Sequence, residues 1–84
     1  MQLKLKFFAS YREKIGREEE NLDWAVGSGT LGELVLFLRA RGGVWQEVFT
    51  DPHCLMAINT SMARTAEYLH EGDEVAFFPP VTGG

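Results

Sequence analysis

Leu3, Leu5 and Phe7 alternate with Gln2, Lys4 and Lys6, the period-two rhythm of a strand with one face on a core and the other in water. A second alternation sets Leu22, Trp24 and Val26 against Asn21, Asp23 and Ala25, until Gly27-Ser28-Gly29 breaks it. Between them, 9–16 reads as a loop with one helical turn, because Tyr11, Arg12 and Ile15 fall together at helical spacing. Thr30 followed by Glu33 has the form of a capping box, and Leu31, Leu34, Val35 and Leu38 make an i, i+3, i+4, i+7 stripe behind it. Arg39 and Arg41 lie where cations oppose a helix dipole, and Gly42-Gly43 supplies the stop. Val44, Trp45, Val48 and Phe49 predict one further short helix before Asp51-Pro52. Leu55 to Asn59 predicts a short strand, Met62 to Arg64 a shorter one, Glu71-Gly72-Asp73 a turn, and Glu74 to Phe78 the last strand. A sheet wrapped around one capped helix encloses a single two-layer core. The expected fold is α+β: a ubiquitin-like β-grasp with a mixed sheet on one main helix and its first strand paired with its last.

Length and charge narrow the function. With 84 residues the chain is expected to form one domain, 1–84, with 79–84 as a protruding tail. A formal net charge of −4, with Lys and Arg scattered, leaves no basic footprint for nucleic acid. Cys54 is the only cysteine, so the chain cannot close a disulfide within itself or build a multi-cysteine metal site. The first eight residues lack the continuous apolar core of a signal peptide, and no apolar run approaches the length of a membrane span. The expectation is a cytoplasmic protein that engages neither nucleic acid nor membrane.

The chemistry is concentrated at the end, Phe77-Phe78-Pro79-Pro80-Val81-Thr82-Gly83-Gly84. Neither proline can donate a ladder hydrogen bond, so the strand should stop at Phe78. The six residues beyond it span at most about 20 Å, enough to thread a narrow channel in another protein. Glycine carries no side chain to shield its carbonyl or to widen that channel. A bare terminal carboxylate is a poor electrophile, but ATP converts it to an acyl adenylate, from which a sulfur nucleophile displaces AMP to leave a thiocarboxylate. Such a carrier needs no general base of its own, and no cofactor bound to itself; ATP is used by the activating enzyme.

Other residues read more plainly. Phe77 and Phe78 point to opposite faces of the last strand, and Phe7 and Phe8 pose the same question on the first. One exposed aromatic of each pair would form a docking patch beside the tail. Cys54 has no activating base in sequence beyond its neighbour His53 and reads as a small buried hydrophobe. His53 and His70 lack metal-ligand spacing and read as surface residues. The acidic runs at Glu18-Glu19-Glu20 and around Glu71, Asp73 and Glu74 read as solvated turns and edges.

The chain resembles the small subunits of molybdopterin synthase, a family of ubiquitin-like sulfur carriers. The likeness covers essentially the whole length. It is carried by Leu5-Lys6-Phe7-Phe8-Ala9 with Arg12-Glu13 and Gly16, by Ala57-Ile58-Asn59, and above all by the run from Gly72 to Gly84. The resemblance implies that a ubiquitin-activating-type adenylyltransferase adenylates Gly84 and a sulfur donor protein converts it to a thiocarboxylate. The tail then enters the large subunit of the synthase, which holds the catalytic side chains, within a heterotetramer of two small and two large subunits. There the sulfur passes to cyclic pyranopterin monophosphate. The implied interface comprises Phe78, Pro79, Pro80, Val81, Thr82 and Gly83 with the sheet face beneath them, and Arg12 and Phe7 as additional contacts. Two alternatives share the tail: a sulfur carrier for thiamin, cysteine or tRNA thiolation, and a ubiquitin-like modifier joined to lysines through Gly84. A β-grasp ferredoxin is excluded because its cluster needs four cysteines.

Overall fold

The computed structural model describes residues 1–80; Val81, Thr82, Gly83 and Gly84 lie outside the described residues. The elements are β1 (Gln2–Phe7), α1 (Ala9–Ile15), β2 (Glu19–Asp23), β3 (Gly29–Thr30), α2 (Leu31–Arg39), α3 (Val44–Phe49), β4 (Leu55–Ile58), β5 (Ser61–Met62), β6 (Tyr68–Leu69) and β7 (Glu74–Phe78). Five strands form one sheet in the order β2-β1-β7-β4-β5, and β3 pairs with β6 in a separate ribbon. β1 and β7 run parallel; the other neighbours are antiparallel. The fold is the ubiquitin-like β-grasp expected from the sequence, a mixed sheet with helices packed on one face.

The main helix starts as its sequence requires. The Thr30 hydroxyl accepts from the Glu33 amide at 3.2 Å while the Glu33 carboxylate accepts from the Thr30 amide at 3.1 Å. Leu31, Leu34 and Leu38 are fully buried. At the far end Arg39 donates twice to the Phe49 carbonyl, at 3.1 and 3.3 Å, and so ties α2 to α3. Opposite the helices, Leu3, Leu5 and Phe7 of β1 and Val75 and Phe77 of β7 close the core. The Phe7 and Phe77 rings stack at 6.0 Å, and Phe49 meets Phe77 edge-on at 4.9 Å.

Two elements differ from expectation. 9–15 is a helix rather than a loop with one turn; Tyr11 is buried on it, and its hydroxyl donates to Asp51 at 2.9 Å, holding α1 against the α3–β4 loop. β2 lies earlier than the alternation around Leu22 and Trp24 suggests. The Val26 amide turns back to the Trp24 carbonyl at 2.7 Å, which ends the extended run and leaves the Trp24 ring in the core. At its other end β2 begins on Glu19 and Glu20, residues that an apolar template passes over.

Glu20 is the reason. It pairs with Leu5 across the ladder and therefore stands on the core side of an edge strand. Arg41 grips it through two hydrogen bonds, at 2.9 and 2.6 Å, and Arg17 adds a third at 2.9 Å. The Arg41 guanidinium lies 4.3 Å above the Trp45 ring. An inward charge on an exposed edge also discourages pairing with another sheet. Hydrogen bonding to Arg41 is the largest influence on this carboxyl and holds its pKa below the usual 4.5.

A carboxylate with a depressed folded-state pKa adds stability that is complete above the unfolded value and disappears as pH falls through the folded one. Glu20→Gln should therefore cost about 1–3 kcal/mol at pH 7. The gap from the parent should close as pH falls below 4.5. Urea unfolding at a series of pH values measures it; a gap independent of pH would contradict this role. The same assay separates the paired aromatics. Phe77→Ala should lose about 3–5 kcal/mol as a fully buried ring, whereas Phe78→Ala, at a half-buried position on the other face, should lose far less.

Candidate functional site

Alternation along β7 divides its side chains: Val75 and Phe77 enter the core, and Glu74, Ala76 and Phe78 face outward. The register carries that division across the sheet. Leu55 lies opposite Phe78, Ala57 opposite Ala76, and Met62 opposite Ala57, so all three share the outer face. Met56 and Ile58, their neighbours in β4, pack against the core instead. Phe8 completes the patch. Its amide donates to the Phe77 carbonyl at 3.1 Å, and its ring meets Phe78 edge-on at 6.1 Å. Phe8 is 44% exposed and Met62 61%, far beyond what a core residue shows.

Phe8, Phe78, Leu55, Ala76 and Met62 thus form one apolar stretch over β7, β4 and β5, with Ala57 on the same face but covered by its neighbours, the kind of exposed patch that marks an interface. The β1 and β2 half of the same face is charged, with Lys6 3.4 Å from Glu74 and Lys4 3.8 Å from Glu19. Pro79 and Pro80, both half-buried, continue directly from the apolar half.

One expected contact is overturned. Phe7 is fully buried and stacked on Phe77, because β1 turns Leu3, Leu5 and Phe7 to the same face. Phe8, the other member of the pair, is the exposed one. Arg12 is exposed one helical turn beyond Phe8, its amide donating to the Phe8 carbonyl at 3.3 Å, so it flanks the aromatic edge of the patch. Val81, Thr82, Gly83 and Gly84 lie outside the described residues. Leu55 and Met62 were not anticipated as contacts; the available signal was an apolar Met beside a two-residue hairpin, where a solvated turn would carry polar side chains.

The run that opens β7 does structural work before any chemistry. Gly72 sits at φ +84°, a conformation that favours glycine. Asp73, nearly buried, accepts from the Asn59 side-chain amide and from the His70 backbone amide, each at 2.8 Å. Asn59 in turn accepts from the Glu74 amide at 2.9 Å. The β4–β5 hairpin is thereby fastened to the start of the strand that leads to the tail.

Cys54 packs against the core as a small hydrophobe but is partly rather than fully buried. Burial pushes its thiol pKa up to about 11, outweighing the lowering influence of the Tyr11 hydroxyl, and the Asp51 charge adds a lesser push in the same direction as burial. Burial, then its hydrogen bond to Asp51, raises the Tyr11 pKa as well. Asp51 is held low by the His53 backbone amide and then by the Tyr11 hydroxyl. A protonated thiol over a cavity of about 310 Å³ shared with Val35, Arg39, Phe49 and Met56 is no activated nucleophile. His53 and His70 are exposed. Among the described residues, no three His, Cys, Asp or Glu side chains gather where a metal could sit, and no helix is long and apolar enough to cross a membrane.

Comparison with known proteins agrees with this geometry. The ThiS family model matches residues 5–84. The molybdopterin synthase sulfur carrier subunit of Escherichia coli (strain K12) is 37% identical over 82 residues, spanning 98% of this chain and 99% of that protein. The small archaeal modifier protein 3 of Haloferax volcanii is 32% identical over 94 residues and the full length of both. The crystal structure of SAMP1 from Haloferax volcanii has a TM-score of 0.83 at 30% identity, again over the full length of both chains. A β-grasp sheet, a family-model match from residue 5 onward and full-length similarity to known relatives lead to one conclusion: the chain belongs to the ThiS family, with molybdopterin synthase sulfur carrier subunits among its relatives.

Proposed function

We propose that this chain is the sulfur carrier subunit of a cytoplasmic molybdopterin synthase and that Gly84 is its reactive residue. The observation that carries the reading is the apolar outer face of Phe8, Leu55, Met62, Ala76 and Phe78, continuous with the proline-led approach to Gly83-Gly84. A carrier needs both parts. The face provides a surface for successive partners, and the tail delivers the acyl group into their active sites. Similarity to the E. coli sulfur carrier subunit over the full length supports the same reading.

In this scheme a Gly84 carboxylate oxygen attacks the α-phosphorus of ATP on an adenylyltransferase, and pyrophosphate leaves. Sulfur at the sulfide level, delivered by a donor protein, adds to the acyl carbon, and AMP leaves. On the synthase large subunit the thiocarboxylate sulfur displaces an oxygen substituent from a side-chain carbon of cyclic pyranopterin monophosphate, and water then cleaves the acyl–sulfur bond, which leaves the sulfur on the pterin and restores the Gly84 carboxylate. Two such deliveries make the dithiolene, matching an assembly of two small and two large subunits. This chain contributes the docking face, with Arg12 on its edge, and the segment Pro79, Pro80, Val81, Thr82 and Gly83 that carries Gly84 forward. Catalytic side chains belong to the large subunit.

A second reading has a specific finding behind it. The likeness to small archaeal modifier protein 3 supports a ubiquitin-like modifier, joined through Gly84 to lysines. Supply of sulfur to thiamin, cysteine or tRNA keeps the carrier chemistry and changes only the acceptor.

Deleting Gly84, or adding one residue after it, should reduce sulfur transfer to background in a reconstituted synthase assay. The thermal midpoint should stay within a degree or two, because the core closes at Phe77. Turnover at the parent rate in either variant would refute the carrier reading. Isopeptide-linked Gly84 in cell extract, with no thiocarboxylate pool, would favour the modifier.

A further inference from the structure

Most of the turns that need a left-handed backbone are built conventionally. Gly16, Gly42, Gly43 and Gly72 all have positive φ, as glycine readily does. None of them neighbours an exposed large apolar side chain. Three other residues also have positive φ: Ala9 at +51°, Asn59 at +48° and Thr60 at +70°. Asn59 is accounted for, because asparagine tolerates this region and its side chain is fixed by Asp73 and the Glu74 amide.

Ala9 and Thr60 have no such account. Thr60 is the second residue of a two-residue hairpin loop, between Ile58 and its partner Ser61. Positive φ at both loop residues is the signature of a turn whose preferred second residue is glycine. A β-branched residue there is a genuine outlier, and among the described residues its hydroxyl makes no hydrogen bond. Ala9 follows Phe8 and reverses the chain into α1 without glycine. Both positions border the docking face: Ala9 follows Phe8, and Thr60 stands two residues before Met62, the two most exposed side chains of the patch.

We propose that Ala9 and Thr60 are positioning residues, whose strained turns hold Phe8 and Met62 rigidly at opposite ends of the partner-binding face. The proposal rests on that face being the docking surface of the carrier. An L-residue at positive φ occupies one narrow well, whereas glycine there ranges over a broad basin. Ala and Thr therefore make stiffer turns than glycine at a cost in stability. Stiffness on a docking face spares the complex the entropy of ordering those side chains, and strain retained beside a functional surface is a recognised trade.

The test compares Thr60→Gly, Thr60→Asn, Ala9→Gly, Met62→Ala and Phe8→Ala in the full chain, binding the synthase large subunit by calorimetry alongside thermal unfolding. Both glycine variants should raise the thermal midpoint, by about 3–6 °C, yet weaken binding roughly three- to tenfold. Thr60→Asn should raise the midpoint and keep parental affinity, since asparagine accepts the conformation but holds it more tightly than glycine. Glycine variants that bind as tightly as the parent, or that gain no stability, would overturn the proposal. Parental affinity in both Met62→Ala and Phe8→Ala would instead remove the outer face as the docking surface, and the functional reading with it.

Discussion

The parallel pairing of β1 with β7 is the constraint on which the rest of the molecule depends. Parallel neighbours cannot be joined by a tight turn, so everything between Phe7 and Glu74 serves as their connection. The helices α1, α2 and α3 lie in that connection and pack on the sheet, while β4 closes the other side of β7. The tail strand is thus the central strand of five, although it comes last in the sequence. Its place is secured by Phe77, stacked on Phe7 and met edge-on by Phe49.

A central strand makes a firm base for the reactive end proposed at Gly84. The two-residue period gives β7 two faces: Val75 and Phe77 anchor it in the core, and Ala76 and Phe78 contribute to the apolar outer surface proposed to receive partners. A partner gripping that surface therefore grips the element from which Pro79 and Pro80 depart. The proposed function places stability and recognition on opposite faces of one strand, so that substitutions on the outer face would leave the core intact.

Much of this was legible in the sequence because the signals were local. The capping box at Thr30 and Glu33, the Leu31–Leu38 stripe, the alternation in Leu3–Phe7 and the stop at Pro79 each depend on spacing within a few residues. What escaped was decided at long range. Glu20 enters β2 facing the core only because Arg41, 21 positions later, neutralises it. Helix α1 is held in part by Tyr11 reaching Asp51, 40 positions away. The choice between Phe7 and Phe8 turned on register: alternation from Leu3 puts Phe7 inside, yet both residues fit an exposed aromatic beside the tail until the strand end is known. Leu55 and Met62 joined the site through cross-strand pairing with Phe78 and Ala57, which sequence spacing does not encode.

The central claim, that the strand exists to present Gly84 as a sulfur carrier, is tested most directly by the intact mass of the chain through two additions. With ATP, an activating enzyme and a sulfur source, the mass should rise by the exchange of one oxygen for sulfur at Gly84. With the synthase large subunit and cyclic pyranopterin monophosphate, it should return to its starting value as molybdopterin appears. A chain whose mass never changes, under conditions that load a related carrier, would contradict the account.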